Sequence, residues 1–185
     1  YKIINNSLWK ELEHGVTTME YVQNERFVVL FKQLDLLVDG EQANKLYHQI
    51  LKHQCWLVSN AEEVCCYLSK KYKISIVTNG IFETQTSRIQ NSRVCNFITE
   101  VFVSESIGFE KPDIHFFEHV FDKLHCSRDE VLIVGDSLSS DIQGGINAGI
   151  QTCWYNPDGS ENKLGIMPDH IISNLRELYC LLPVE

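Results

Sequence analysis

Two short, mainly apolar runs, each ending abruptly at polar residues, constrain the fold of this sequence most strongly. The first covers 74–78 and leads to Asn79, and the second covers 131–135 and leads to Asp136. Runs of this length without alternation are typical of strands buried on both faces of a parallel sheet. Because helical patterns lie between such runs, the sequence predicts an α/β fold, a Rossmann-like parallel sheet with helices on both faces.

The first part of the chain has a different pattern. Apolar residues recur there at helical spacing in three segments: 8–12, 22–34 and 40–52. No strand pattern precedes Ile74. We therefore expect two domains, a small α-helical cap over residues 1–55 and an α/β core over residues 56–185.

The composition limits the partners that we expect. The formal net charge is −9 at pH 7 and the basic residues are scattered, so a nucleic acid polymer is not an expected partner. No apolar stretch approaches the roughly 18 residues of a membrane span, so no membrane partner is expected either. The seven cysteines contain no C-x-x-C pair, which favours reduced, buried thiols in a cytoplasmic protein.

Polar side chains follow the first run, at the sheet edge where parallel sheets bind ligands. Thr78 offers a hydroxyl and Asn79 an amide, and Gly80 lets backbone N–H groups approach an anion. A plain βα turn uses the same residue types, which is the alternative. Lys111 is kept extended by Pro112 and carries a point charge suited to a phosphoryl oxygen or to crowded carboxylates.

Two carboxylates follow the second run. Asp136 ends the strand, and Asp141 follows near the start of the next helix. Two carboxylates at one loop suit a hard cation such as Mg²⁺, which keeps some waters and takes phosphate oxygens. The alternative for Asp141 is an acid favoured by the helix dipole. Three glycines at positions unfavourable for an isolated helix predict close packing of this helix on the sheet: Gly144, Gly145 and Gly149.

Together these motifs resemble a known family. The chain contains, in order, I-V-T-N-G, S-E-S-I-G-F-E-K-P and V-G-D-S-L-S-S-D-I-Q-G-G-I-N-A-G. They resemble the second, third and fourth motifs of the haloacid dehalogenase-like (HAD) superfamily of Mg²⁺-dependent phosphohydrolases. The segments H-G-V-T-T-M-E-Y-V-Q-N-E-R-F and T-C-W-Y-N-P-D further resemble its YjjG/YfnB-type branch of pyrimidine-preferring 5′-nucleotidases.

The resemblance implies a phosphatase for a small phosphorylated metabolite, a nucleoside 5′-monophosphate, with Mg²⁺ as cofactor. Asp136 would bind the metal and Asp141 would support the shell around it. Lys111 would bridge the phosphate and an aspartate nucleophile, so that Lys111 and Thr78 are the catalytic candidates. The implied phosphate-binding residues are Thr78, Asn79, Gly80 and Lys111.

In one respect the sequence departs from the family. The family's first motif, an apolar strand followed by D-x-D-x-T, does not occur in residues 1–185, and Asp35 and Asp39 lie among the predicted cap helices. The resemblance therefore implies that the first core strand and both catalytic aspartates lie upstream of Tyr1. Residues 1–185 alone are then expected to be inactive and, because neighbouring strand edges would be unpaired, weakly stable.

Several alternatives stay open. The same scaffold would suit another small phosphate ester, such as a sugar phosphate or phosphoglycolate, and a non-catalytic module would bind a phosphorylated ligand or a partner protein. His115, Glu118 and His119 fit the H-x-x-E-H pattern of inverted zinc proteases, with a surface helix as the alternative. Three further side chains are candidates for contact with a base, with core packing or surface pairing as the alternative: Trp9, Arg26 and Trp154.

Overall fold

The computed structural model of the chain describes residues 1–13 and 15–184. It divides into two compact units, Tyr1–Gln54 and Cys55–Glu185. The first unit contains three helices: α1 Lys2–Glu13, α2 Met19–Gln33 and α3 Gly40–Lys52. The Thr18 hydroxyl caps α2 and the Asp39 carboxylate caps α3, each by accepting a backbone N–H three residues on.

The apolar core of the helical unit is small. Leu8, Leu12 and Val22 are buried in it, and the Trp9 side chain packs against them. Core packing is therefore the environment of Trp9 in this unit, in line with the alternative that its helical spacing left open. Such a small core leaves room for polar side chains between α2 and α3, where Arg26 and Asn44 are also buried.

Arg26 is the most unusual of these buried groups. Its guanidinium is 5% exposed, lies over the ring of Tyr47 and reaches Nε2 of His48 at 3.2 Å. A guanidinium can only donate hydrogen bonds, so the ring nitrogen of His48 must accept and the ring must be neutral. The pKa of His48 is lowered from 6.5 to about 4, chiefly by burial and in smaller part by the charges of Arg26 and Lys52.

This arrangement makes the stability of the helical unit depend on pH. Between about pH 6.5 and pH 4, His48 is protonated in the unfolded chain but neutral in the folded unit. We therefore expect this contribution to the free energy of unfolding to be fully present above pH 6.5. It should fall by about 1–2 kcal/mol as the pH drops to 4, less than the full shift implies because solvent screens the half-buried ring. Urea denaturation at several pH values measures this, and His48→Gln, which still offers Arg26 an acceptor, should remove this part of the slope. An unchanged slope in that variant would contradict the assignment.

The second unit alternates strands and helices. Its strands are β1 Ile74–Thr78, β2 Ile98–Val103, β3 Leu132–Gly135, β4 Gln151–Tyr155 and β5 His170–Ile172. Its helices are α4 Ala61–Leu68, α5 Phe82–Gln90, α6 Ser104–Ile107, α7 Ile114–Leu124, α8 Gln143–Ala148 and α9 Leu178–Leu181. Short 3-10 turns cover Cys95–Phe97, Arg128–Glu130 and Leu175–Glu177.

The strands form parallel sheets, as predicted, but the sheet is in two parts. β1 pairs with β2, and β3 pairs with β4, which pairs with β5; within the described residues β1 and β3 are each paired on one side. The resemblance implied unpaired strand edges beside a first core strand that lies outside residues 1–185, and the position of that strand stays a prediction. The residues of β1 are half-buried rather than fully buried as predicted, because one edge of the strand has no neighbour there.

Helices cover both faces of these sheets. One core joins β2 and β3 to α7 and α8 through Phe102, Ile133, Phe116 and Ala148, and the other joins Val64 of α4 to β4, β5 and α9. The predicted close packing of α8 on the sheet holds at Gly145, where a Cβ would lie 2.6 Å from Ile133 of β3. At Gly144 the close contact is with Phe117 of α7, at 2.7 Å, and a Cβ on Gly149 would meet Arg128 only at 3.8 Å. The α/β fold class inferred from the sequence is thus confirmed.

The cysteines are less buried than predicted. All seven are free and lie in the described part of the chain, but of these Cys153 is buried whereas Cys55, Cys66 and Cys180 are exposed. The prediction of buried thiols was therefore wrong for most of them: three are exposed, and Cys65, Cys95 and Cys126 are only partly buried. Within residues 1–13 and 15–184, the structure has no helix with the length and hydropathy of a membrane span.

Candidate active site

The ammonium of Lys111 lies between the two parts of the sheet. It comes from the loop between α6 and α7, is 5% exposed, and donates to the carbonyl of Val77 at 2.8 Å and to Oδ1 of Asp141 at 2.6 Å. An ammonium has three N–H groups, so these two bonds leave one for a further acceptor. The fold thus buries a cation, paired with a carboxylate, at the carboxyl end of β1.

The side chain of Asn79 holds the backbone of Lys111. Its Nδ2 donates to the carbonyl of Lys111 and its Oδ1 accepts the N–H of Lys111, both at 2.9 Å. The neighbouring N–H of Gly80 donates to Oγ of Ser104 at 3.1 Å. The structure therefore uses Asn79 and Gly80 to fix the turn, whereas the sequence alone predicted that they would contact phosphate; that direct contact stays a prediction.

Asp141 reaches Lys111 because the chain makes a π-helical turn over Leu138–Ile142. The carbonyl of Ser137 accepts the N–H of Ile142 at 3.1 Å, and the N–H of Ser137 donates to Oδ2 of Asp141 at 3.1 Å. Such turns recur at functional sites because they redirect single side chains. Both oxygens of the carboxylate are thereby held, one by Lys111 and one by the loop backbone.

Gly135 is the residue that makes room for this carboxylate. A Cβ placed on Gly135 would collide with Cβ, Cγ and Oδ2 of Asp141. The glycine before Asp136 is therefore required by a close approach rather than by a turn. Sequence reasoning missed this, although the V-G-D order at a strand end was a visible signal.

We expect Gly135→Ala to push the Asp141 carboxylate away from Lys111 and to lower the free energy of unfolding by about 1–3 kcal/mol, as overpacking does. Thermal and urea denaturation measure the loss. Gly159→Ala is a matched control on an exposed loop, where an added Cβ has no heavy atom within 4 Å, although the positive φ of 63° adds some strain there. Equal stability of Gly135→Ala and the unsubstituted chain would contradict the close approach.

Asp136 is exposed at the end of β3. Its backbone carbonyl accepts the indole N–H of Trp154 at 3.0 Å, and Trp154 itself is 5% exposed, in line with packing rather than contact with a base. Among the described residues, the Asp136 carboxylate has no hydrogen bond or ion pair. It is therefore available to a cation at the same edge of the sheet.

These residues fit Mg²⁺ better than a metal held by protein ligands alone. The described residues contain no group of three or more His, Cys, Asp or Glu side chains that could hold a metal ion. Mg²⁺ is typically bound by one or two carboxylates, with waters and substrate phosphate completing its shell. Asp136 fits the role of direct ligand, and Asp141, held by Lys111 and Ser137, fits the supporting role implied by the resemblance.

Thr78 ends β1 beside a cavity of about 250 Å³. Residues from β1, from α5 and from the segment before α4 line this cavity, among them Ile76, Thr78, Gln85, Arg88 and Trp56. Nε2 of Gln85 lies 2.6 Å from the Thr78 hydroxyl, and Nη1 of Arg88 lies 3.1 Å from Oε1 of Gln85. Sequence reasoning missed both residues of α5; their spacing of one helical turn was the available signal.

The H-x-x-E-H segment lies on α7 and shows the features of a structural helix. Nδ1 of His115 lies 2.8 Å from Oδ1 of Asp113, and its ring stacks on Phe109. His119 lies edge-on to Phe102. The two histidines thus contact other groups, and no third metal ligand joins them in the part of the chain that the structure describes.

The profile of the haloacid dehalogenase-like hydrolase family matches residues 8–155. Putative HAD-hydrolase YfnB of Bacillus subtilis is 39% identical over the whole chain and 79% of YfnB. Pyrimidine 5′-nucleotidase PynA of Streptococcus pneumoniae is 34% identical over 96% of the chain and 76% of PynA. Pyrimidine 5′-nucleotidase YjjG of Escherichia coli is 31% identical over 98% of the chain and 80% of YjjG.

A solved structure agrees with these relatives. The crystal structure of YfnB bound to magnesium superimposes with a TM-score of 0.93 and 38% identity, over all of the chain and 81% of YfnB. The matched region contains every strand-end residue described above. This chain therefore belongs to the haloacid dehalogenase-like hydrolase family.

Proposed function

We propose that the chain carries the phosphate-binding and metal-binding residues of a phosphatase that hydrolyses nucleoside 5′-monophosphates, with a preference for pyrimidine nucleotides. The observation that carries this proposal is the buried Lys111–Asp141 ion pair, together with the exposed carboxylate of Asp136 at the end of β3, which has no hydrogen bond or ion pair within the described residues. The names of PynA and YjjG support the class of substrate. The free cysteines fit a reducing compartment, and we expect the enzyme to act in the cytoplasm.

Each residue has a role that follows from its contacts. The remaining N–H of Lys111 donates to a phosphoryl oxygen, and its charge offsets that of the phosphate. The Thr78 hydroxyl donates to a second oxygen. Asp136 binds Mg²⁺, which when bound neutralises phosphate charge, and Asp141 keeps Lys111 and the Ser137 loop in place.

The nucleophile is the part that these residues do not supply. Asp136 and Asp141 are assigned to the metal and to Lys111, and residues 1–185 contain no apolar strand followed by D-x-D-x-T. We propose that an aspartate from outside residues 1–185 attacks the phosphorus and forms an aspartyl-phosphate. The bond to the nucleoside 5′ oxygen breaks as it forms, the second aspartate of that motif protonates the leaving oxygen, and water then hydrolyses the aspartyl-phosphate to release phosphate. The helical unit acts as a cap that selects the substrate. Among the described residues β1 and β3 are each paired on one side only, which supports a position between them for the strand that would carry this aspartate.

The test combines phosphate release with binding. The purified chain is incubated with UMP, dUMP, dTMP, AMP and phosphoglycolate, with Mg²⁺ or with a chelator, and its intact mass is checked. We expect Mg²⁺-dependent binding of the pyrimidine nucleotides, weaker binding of AMP and phosphoglycolate, and no release of phosphate. Release that Asp136→Asn abolishes would overturn the assignment of the nucleophile. Failure to bind any of these esters would overturn the substrate class and favour a partner-binding module.

A further inference from the structure

The hydrogen bonds around Thr78 have a fixed direction. A glutamine amide has one donating and one accepting end, and the two ends are hard to tell apart unless a neighbour decides. Here Arg88 decides, because a guanidinium only donates and its Nη1 lies 3.1 Å from Gln85. The oxygen of Gln85 must therefore face Arg88, which turns the NH₂ group of Gln85 towards Thr78.

The hydroxyl of Thr78 is consequently an acceptor on the side of α5. Gln85 donates to it at 2.6 Å, and its single hydrogen must point elsewhere. Among the described residues the other acceptor in range is the carbonyl of Asn79 at 3.4 Å, close to the limit for a hydrogen bond. The hydrogen is therefore available to a ligand oxygen at the end of β1.

We propose that Gln85, oriented by Arg88, is a positioning residue that makes Thr78 an obligatory hydrogen-bond donor to a phosphoryl oxygen. This inference rests on the proposed function, because it takes phosphate as the ligand at the end of β1. It assigns a task to two residues of α5 that contact the phosphate only through Thr78.

Gly80 has a place in the same arrangement. A Cβ on Gly80 would lie 3.3 Å from Cγ and Nε2 of Gln85, tighter than most such contacts. The glycine therefore leaves Gln85 the room to cross from α5 to the strand end. This gives Gly80 a role in the site although its own N–H is bonded to Ser104.

The fixed direction of the hydrogen bonds from Arg88 through Gln85 to Thr78 favours the binding of phosphate. A hydroxyl that is free to rotate is as ready to accept as to donate, and a phosphate oxygen offers only acceptor positions. When the hydroxyl hydrogen of Thr78 is fixed towards the phosphate, the hydroxyl no longer adopts orientations in which its own lone pair faces a lone pair of a phosphate oxygen. A donor bond to a charged oxygen is among the stronger hydrogen bonds in proteins, so its loss is measurable.

The test is a double-mutant cycle in which calorimetry measures the binding of inorganic phosphate in the presence of Mg²⁺. We expect Gln85→Leu and Thr78→Val each to weaken binding about ten-fold, and the double variant to bind no more weakly than Thr78→Val alone. Thr78→Ser, which keeps the hydroxyl, should bind as the unsubstituted chain does. Gln90→Leu, at an exposed position at the end of the same helix, is the matched control and should have no effect.

Gln85→Glu distinguishes a role of Gln85 in orienting the Thr78 hydroxyl from a role in stabilising the fold. The carboxylate keeps the contact with Arg88 but accepts the hydrogen of Thr78, so phosphate binding should fall at least as far as in Gln85→Leu while the thermal midpoint is unchanged. Independent, additive losses in the cycle, or full binding by Gln85→Leu, would overturn the role of Gln85 and leave the proposed function intact. Absence of phosphate binding by the unsubstituted chain would overturn both.

Discussion

Replacing Lys111 by methionine should lower the free energy of unfolding by about 3–5 kcal/mol, because it leaves the buried carboxylate of Asp141 without its cation. Asp141 is 8% exposed, and the N–H of Ser137 is its remaining partner among the described residues. Methionine keeps the length of the apolar stem, so the change isolates the charge and its hydrogen bonds. Urea denaturation at neutral pH measures the effect.

The double variant of Lys111→Met and Asp141→Asn provides the control. It removes both charges together, so it should be destabilised by clearly less than the sum of the two single losses. Every variant without Lys111 should also lose Mg²⁺-dependent binding of UMP. Additive losses in stability would contradict the buried ion pair, and undiminished nucleotide binding would contradict the role of the ammonium.

Asp136→Asn should weaken nucleotide binding without changing the stability of the chain. We expect it to weaken Mg²⁺-dependent binding of UMP by about 100-fold, because the neutral amide is a poor ligand for a hard cation. The free energy of unfolding should not change, since the carboxylate is exposed and has no hydrogen bond or ion pair among the described residues. Calorimetric titration of UMP with and without Mg²⁺ measures the first effect and denaturation the second.

Asp158→Asn is the matched control for this substitution. It makes the same chemical change on an exposed loop after β4, and it should leave both binding and stability as they are. Nucleotide binding that is equally strong with and without Mg²⁺ in the unsubstituted chain would contradict the metal assignment. Together, Lys111→Met and Asp136→Asn distinguish a residue that both stabilises and binds from one that only binds.

Local sequence patterns predicted many elements of this fold correctly. The strand over 74–78 and the helical segments over 22–34 and 40–52 match the structure. Each depends on residues within a few positions of one another, as an unbroken apolar run or as apolar residues at helical spacing.

The sequence also identified the candidate site residues, but it did not indicate which contacts they make. Lys111 and Asp141 were both candidates from the sequence, yet no local pattern indicated that they form a buried pair across 30 positions of the chain. In the same way Asn79 was visible as an amide at a strand end, whereas its two bonds to the backbone of Lys111 depend on how distant loops meet.

The sequence by itself therefore determined the α/β class, the helical first unit and the set of strand-end side chains, because periodicity, capping and strand ends are local properties. Tertiary structure alone decided the division of the sheet, the place of Asp141 over Gly135 and the bonds from Arg88 through Gln85 to Thr78. These depend on close approaches between residues far apart in the chain. At these positions the direction of the hydrogen bonds and the space for each side chain depend on neighbours in the folded structure, which no local sequence pattern predicts.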